Sequence, residues 1–437
     1  MIRNKLILLA ALLPLVACDL EISDPNNPAE ADFVNNPTPE VVLAGTTGLI
    51  IGHRANKAES NGYISLLSVI GREAYNFDAA DPRFQGDLME GKLDPTAAAF
   101  GANIWVNPYA NIHLGLLVLD AVGKVNFGED EREGIRGFAK TMMALDYLAV
   151  IVTRDEAGAA LVSSTDIDDI PPLVSKDQIY DHIETLLDEA ETHLANAGDE
   201  FSFSLSSGFT GFNTPAEFIK VNRAIKARVE IYRGKYAEAL TSLGESFITA
   251  DSANPQLRLG VYHSYGTGSG DTQNELVSAN FFVHPSVRAE AEAGDTRIDT
   301  KIKDLGADGA RTVADLTSQD GFLVYPDVTS PVTIIRNEDL ILLRAEANFE
   351  EGNLDEAIAD VNFVREHSAG LAPRDDLDAD NFFDELVKQR RYSLLFEGHR
   401  WIDMRRWGLL GQLPNDRPND SVPSALPIPT AELDARR

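Results

Sequence analysis

Cysteine is almost missing from this sequence: Cys18 stands alone among 437 residues. A chain with one cysteine forms no internal disulfide, so its stability has to come from packing and polar pairing. Cations are scarce too. Lys and Arg total 38 against 69 Asp and Glu, a formal net charge of −31. That balance argues against a nucleic-acid backbone as partner, which demands a phosphate-neutralising surface. It also argues against adsorption on an anionic leaflet by charge. No segment after the amino-terminal one holds 18 uninterrupted apolar residues, so none reads as a membrane span. The H-E-x-x-H, G-x-S-x-G and G-x-x-x-x-G-K-[ST] motifs are missing. The eight histidines are scattered, and none pairs with another at metal-ligand spacing. The reading is of a chain with no catalytic residues, no cofactor and no metal. A paired-carboxylate hydrolase leaves no motif to search for, since among 69 acids two always lie close somewhere; turnover measurements address it.

What the sequence does have begins at its start. MIRNKLILLAALLPLVA, residues 1–17, joins Arg3 and Lys5 to an apolar run from Leu6 to Val16. It reads as a signal peptide, too short to span a bilayer. Leu15-Val16-Ala17-Cys18 resembles the lipobox of bacterial lipoproteins, which implies a lipid thioether on Cys18. Each buried acyl methylene adds about 0.8 kcal/mol, so two or three chains anchor firmly. Residues 18–38, DLEISDPNNPAEADFVNNPT after the cysteine, are rich in proline, asparagine and acid. They read as a flexible tether, whose acidic start resembles an export signal for the outer face of the outer membrane.

Beyond it, residues 39–437 read as a single helical domain. Thr38-Pro39-Glu40 is a helix start, a capping residue followed by proline at the first position. Ile135, Phe138, Met142, Leu145, Ala149 and Val152 recur at spacings of 3, 4, 3, 4, 3, one face of a long amphipathic helix. Residues 176–194 form another, with Ile179, Ile183, Leu186, Leu187 and Leu194 on its apolar side. ARVEIYRGKYAEALTSL from Ala227 and AEANFEEGNLDEAIADV from Ala345 look like copies of one unit. Each has Gly seven residues after the Ala, at Gly234 and Gly352, then E-A. Two helices joined at a glycine, Ala packed on aromatic, is the tetratricopeptide design. The units, near 221–249 and 336–367, stand 118 positions apart, so they are not a simple tandem array. Between them, 260–335 reads as the least regular region, with LVYPDVTSPVTII (323–335) the best candidate for extended structure. DDLDADNFFDE, 375–385, mimics the start of a calcium loop but has Asn381 where glycine is needed. A helix cap at Asp378 or Asp380 is the better reading.

In order along the chain, these pieces resemble the SusD/RagB family of surface lipoproteins. The resemblance runs through LVAC with DPNNP, WVNPYANIHLGLLVLD (105–120), GFAKTMMALDYLAVIV (137–152), QIYDHIETLLDEA and the two repeat-like units. It continues through DTRID (295–299) and RRYSLLFEGHRWIDMRRWG (390–408) to LPIPTAELDA (426–435). It implies an all-α scaffold of tetratricopeptide-like helix pairs carrying irregular ligand-binding loops, in a binding protein and not an enzyme. It further implies a lid over a TonB-dependent β-barrel transporter (SusC-like), anchored in the outer membrane and facing the exterior. The ligand would be an oligosaccharide or, in some members, a peptide. This chain departs from the pattern in being short, and all three tryptophans fall in helix-like segments. From a different class, a tetratricopeptide-type scaffold lipoprotein without a transport role fits the same composition.

Sugar recognition needs aromatic faces and fixed polar groups. GREAYNFDAADPRFQG, 71–86, offers Tyr75, Asn76, Phe77, Asp81, Arg83 and Phe84, and the Gly/Ser-rich loop 261–275 offers Tyr262 and Tyr265. The segment 390–408 packs five arginines and two of the three tryptophans into nineteen positions. On one continuous helix Glu397, Arg400, Asp403 and Arg406 alternate in sign every three residues. Trp401 and Trp407 fall on opposite sides, which wedges the helix between neighbours. These six residues are expected to brace the last helices against the scaffold. On that reading, Arg400→Ala lowers the melting temperature and spares ligand affinity.

Overall fold

The computed structural model describes residues 28–96 and 100–437. The lipidation position Cys18 and the signal peptide lie outside the described residues. The segment read as a tether is helical toward its end: α1 spans Glu30–Asn35 and buries Phe33. The Phe33 ring fills the space where a side chain at Gly45 would sit. The ordered body therefore takes in residues ahead of Thr38, because one aromatic ring had a pocket to enter.

α2 (Pro39–Arg54) starts where Thr38 accepts a hydrogen bond from the Val41 N–H at 3.4 Å. α3 (Tyr63–Ile70), α4 (Asn103–Val122), α5 (Glu129–Arg154) and α6 (Lys176–Ala195) follow. α5 opens with Glu129, Asp130 and Glu131 at the positive end of its dipole. Its predicted stripe, Ile135 to Val152, is buried throughout. α6 opens with a capping box: Ser175 accepts from the Gln178 N–H, and Gln178 reaches back to the Ser175 N–H at 3.1 Å. α2, α4, α5 and α6 pack side by side in that order, and α7 (Pro215–Tyr232) adds to α6.

Both repeat-like units are helical hairpins. α7 turns into α8 (Tyr236–Gly244) at Gly234, with φ +70°, and later α12 (Asn337–Glu350) turns into α13 (Leu354–His367) at Gly352, with φ +80°. Glycine adopts this left-handed conformation without strain, which is why it closes the first helix of each pair. Separated in the chain, the units are neighbours in space: α12 packs against α7 and α8.

The connecting region is more regular than its composition suggested. It holds the short helices α9 (Pro285–Ala289), α10 (Thr296–Lys301) and α11 (Gly306–Gly309). β1 (Ala74–Asn76) enters a four-stranded antiparallel sheet ordered β1-β5-β9-β6, with β5 Phe281–Val283, β6 Ile302–Asp304 and β9 Asp320–Phe322. Three two-stranded ladders complete the strands: β2 (Ala159–Ala160) with β3 (Leu173–Val174), β7 (Arg311–Val313) with β8 (Leu316–Ser318), and β4 (Gly260–His263) with β10 (Val332–Arg336). Helices dominate all the same, and the small sheets tie loops onto an all-α scaffold.

Asn381, not Asp378 or Asp380, stands at the N-cap position of α14 (Phe382–Ser393), and its side chain makes no capping hydrogen bond. Asp378 instead accepts from the backbone of Asp380 and Asn381, closing the turn ahead of the helix. α15 covers only Arg400–Arg406, and α16 (Thr430–Asp434) ends the chain. The single helix expected over 390–408 is thus two, parted by a turn over 394–398 in which Phe396 has φ +60°. The Phe396 ring stacks on Phe322 at 4.0 Å and meets Phe281 at 5.4 Å, which holds a conformation that a non-glycine residue rarely takes.

Candidate functional site

Four of the proposed ligand contacts are packing residues in this structure. Tyr75, Asn76, Phe77 and Phe84 are at most 5 % exposed. β1 pairs with β5, setting Tyr75 opposite Phe282, and Phe77 meets the Phe282 ring at 5.2 Å. Aromatic content was read correctly, but strand pairing turned these faces into the core. Asp81 and Arg83 are accessible, yet they spend their charge on each other in a two-point contact of 2.6 and 2.7 Å.

The second loop is different. β4 alternates, so Val261 and His263 point inward while Tyr262 faces out. Tyr262 stands opposite Thr333 in the ladder with β10. Past the strand, Tyr265 lies beneath the guanidinium of Arg54, 5.6 Å from its ring centre. Arg54 reaches it from the end of α2 by donating to the Ser264 carbonyl at 2.6 Å. A third segment closes the site. Ser207-Gly208-Phe209 forms a single helical turn anchored by the buried Phe209, which sits among Phe138 and Phe218. The Gly208 N–H donates to Ser264 Oγ at 3.0 Å. A side chain at Gly208 would start 1.9 Å from the Tyr262 carbonyl oxygen, so only glycine lets the two segments close up.

Together these segments and the 329–331 bend enclose an open cavity of about 370 Å³. Its walls are Ser207, Gly208, Thr210, Gly260, Tyr262, Ser264, Tyr265, Thr329 and Pro331. No carboxylate, amine or imidazole is among them. The polar groups are hydroxyls, and burial raises both phenols above their ordinary range, so the wall is neutral at physiological pH. Tyr262 donates its hydroxyl to the Arg258 carbonyl, leaving its ring as a fixed half-buried face. The Tyr265 hydroxyl oxygen is buried without a partner among the described residues, so its ring is the part of this residue turned to the cavity. Such a lining offers flat aromatic faces and neutral hydrogen-bonding groups, and it holds nothing that would activate a nucleophile. The sequence reading found Tyr262 and Tyr265 but missed Arg54 and the 207–210 segment. SSGFTG at 206–211 carries the same Gly/Ser signal as the loop that was chosen, and that signal was there to be used.

The most catalytic-looking constellation lies elsewhere, in the interior. His53 Nδ1 is 2.7 Å from Asp146, which also accepts from Asn111 at 2.6 Å. Burial lowers His53 and raises Asp146 to about 8, while it brings Lys57 down to about 8. The group borders an internal cavity of about 80 Å³. Among the described residues no cluster of His, Cys, Asp and Glu is arranged to hold a metal ion.

The six residues of the 390–408 knot are placed by long-range contacts. Asp403 is buried between Arg390 at 2.8 Å and Arg406 at 2.9 Å. Arg406 also binds Glu346 on α12, to which the Trp407 indole donates at 3.0 Å. Arg390 reaches Asp339 at 3.1 Å, and Asp339 binds Arg228 of α7 at 2.7 Å. Burial pushes the Asp339 carboxyl up, but Arg228 and Arg390 outweigh it and hold it well below the usual range. Glu397 pairs with Arg336 at 3.0 Å, and the buried Trp401 indole donates to the Pro423 carbonyl at 2.7 Å. Arg400 departs from the expected ladder. The helix break takes Glu397 out of reach, Asp403 is claimed by Arg390 and Arg406, and Arg400 makes no ion pair among the described residues.

Comparison with known proteins places this geometry. Residues 327–435 match the model of the SusD family. The match covers β10 and α12 to α16 with the knot, but of the cavity wall it includes only Thr329 and Pro331. Solved structures are similar over the whole length. A laminarin-binding SusD-like protein superposes with a TM-score of 0.70 at 19 % identity, over 90 % of this chain and 97 % of that one. A SusD-like carbohydrate-binding protein from Bacteroides fragilis gives 0.72 at 15 % identity, over 92 % and 99 %. A SusD superfamily protein from Bacteroides vulgatus gives 0.67 at 16 %, over 93 % and 97 %. The curated proteins include no match.

Proposed function

We propose, from the family match of its last quarter and the fold it shares with SusD-like proteins, that the chain is a SusD-family, glycan-capturing lipoprotein whose ligand site is the cavity of Tyr262 and Tyr265. The observation that carries this reading is the uncharged wall of hydroxyls and tyrosine faces. A neutral oligosaccharide presents C–H faces for the rings and hydroxyls for Ser207, Thr210, Ser264 and Thr329. A peptide would bring terminal or side-chain charges, and the one charged group the site places beside the wall, the Arg54 guanidinium, is committed to the Ser264 carbonyl and the Tyr265 face. Relatives of the same fold bind laminarin and other carbohydrates by description, which supports the ligand class. The protein binds and hands over its ligand without altering it.

The lipobox-like Cys18 supports anchorage in the outer membrane with the body facing outward. No described helix is long and apolar enough to cross a membrane. The family resemblance supports delivery of the ligand to a TonB-dependent barrel. Calorimetry of the purified chain against neutral glycans, acidic glycans and peptides tests the reading. Neutral glycans are expected to bind without turnover. Binding of peptides alone, or release of cleaved product, would sink it. Cys18→Ala is expected to leave the protein in the soluble fraction of cells.

A further inference from the structure

Arg400 is the cation that the knot leaves over, and it faces a cavity. The cavity is lined by residues of α14 and α15 and by Leu409 and Gln412 of the chain after α15. The space is about 280 Å³, and three cations, Lys388, Arg391 and Arg400, line it with Glu290 and Asp384. Two of the three are already matched. Arg391 pairs with Glu290 and donates to Ser286 at 2.6 Å, and Lys388 pairs with Glu292. Arg400 donates to nothing among the described residues, and its Nε is buried without a partner. Behind it sits Glu73, buried, with neither carboxylate oxygen hydrogen-bonded. A guanidinium whose Nε is buried without an acceptor is costly, and here it stands in a chain of net charge −31.

We propose that this cleft between α14 and α15 is a binding site for a small oxyanion, a carboxylate or phosphate group, which Arg400, the one unmatched cation of its wall, takes as a two-point fork. The planar fork of arginine matches both oxyanions. Burial and the like charge of Arg391 lower Arg400 to about 10, so a second negative charge is welcome there. The site is separate from the neutral cavity of Tyr262 and Tyr265, and its loss or presence leaves that reading untouched.

The test uses the full chain at constant ionic strength, with inorganic phosphate and glucuronate as the two probes. Phenylglyoxal labelling read by mass spectrometry is expected to modify Arg400 in the free protein, and a probe that binds is expected to cut that labelling at least about tenfold. Protection by phosphate alone identifies a free phosphate site, and protection by glucuronate alone identifies a carboxylate site. Arg400→Gln is expected to weaken binding by calorimetry about tenfold or more, while Glu73→Gln keeps it. Labelling that neither probe reduces overturns the proposal. So does an Arg400 that resists labelling without any anion, because Glu73 then occupies it, and so does unchanged binding in folded Arg400→Gln.

Discussion

The knot at 390–408 and the loop at 260–272 are opposites in sequence and in structure. The knot is dense in charge and aromatics, and nearly all of its charge is consumed inside the molecule. Arg390, Asp403 and Arg406 are spent on Asp339, Glu346 and each other. The loop has little to catch the eye beyond two tyrosines, glycines and serines, and it borders the open, neutral cavity. Strong charges attract partners within the protein first, since leaving them unpaired in a core is expensive. A site for a neutral ligand is built from what that competition leaves free.

The comparison breaks most sharply at Asp339. Asp339→Ala leaves the buried Arg228 without its carboxylate and takes one of two from Arg390, and is expected to cost about 3–5 kcal/mol in chemical denaturation. The folded fraction should keep its glycan affinity, and a loss of affinity would merge the two regions into one.

Glu73 comes next, through pH. Burial raises its carboxyl to about 7 even though Arg400 and Arg391 pull the other way. The folded state then holds this proton more tightly than the unfolded state does. The stability that depends on it is present in acid, falls as pH rises past the ordinary carboxylate range, and levels off above about pH 8. Against Glu73→Gln, the wild type should lose up to about 3 kcal/mol across that window. Parallel stability curves for the two would show that Glu73 is not buried as described.

Tyr265→Ala and Tyr262→Ala probe the other region. Each should weaken glycan binding about tenfold with only a modest shift in melting temperature. A large stability loss at unchanged affinity would make the loop a second brace. The smallest effect is expected at Arg400→Ala, within about 1 kcal/mol in stability. The alternating-charge reading expects a marked fall in melting temperature, and the structure reverses that expectation because Arg400 has no pair to lose.

Local periodicity made much of the scaffold legible. The α5 stripe, the Thr38 cap and the glycines of both hairpins depend on neighbours within a turn or two, which the sequence displays. The unreadable features depend on distant partners. Nothing near Phe396 shows that Phe322 will hold it at positive φ and break the expected helix. Tyr75 and Phe77 carry the composition of a sugar platform, and only the pairing of β1 with β5 buries them. Arg54 reaches Ser264 across 210 positions of sequence, so no local pattern places it in the site.

The meeting of α12 with α7 and α8 has a consequence for how the chain acquires its shape. The faces that α7 and α8 present to α12 have no cover until the last quarter of the polypeptide arrives, and Arg228 has no carboxylate partner until Asp339 does. The closing segments are also stitched to much earlier ones: the Leu426 N–H donates to Thr153, and Arg405 to Val152. Such long-range closure is slow. A chain cut short before residue 337 would keep its amino-terminal helices but display an apolar wall and a stranded arginine. Maturation therefore proceeds toward the carboxyl end, and limited proteolysis during refolding should find α7 and α8 the last helices to gain protection.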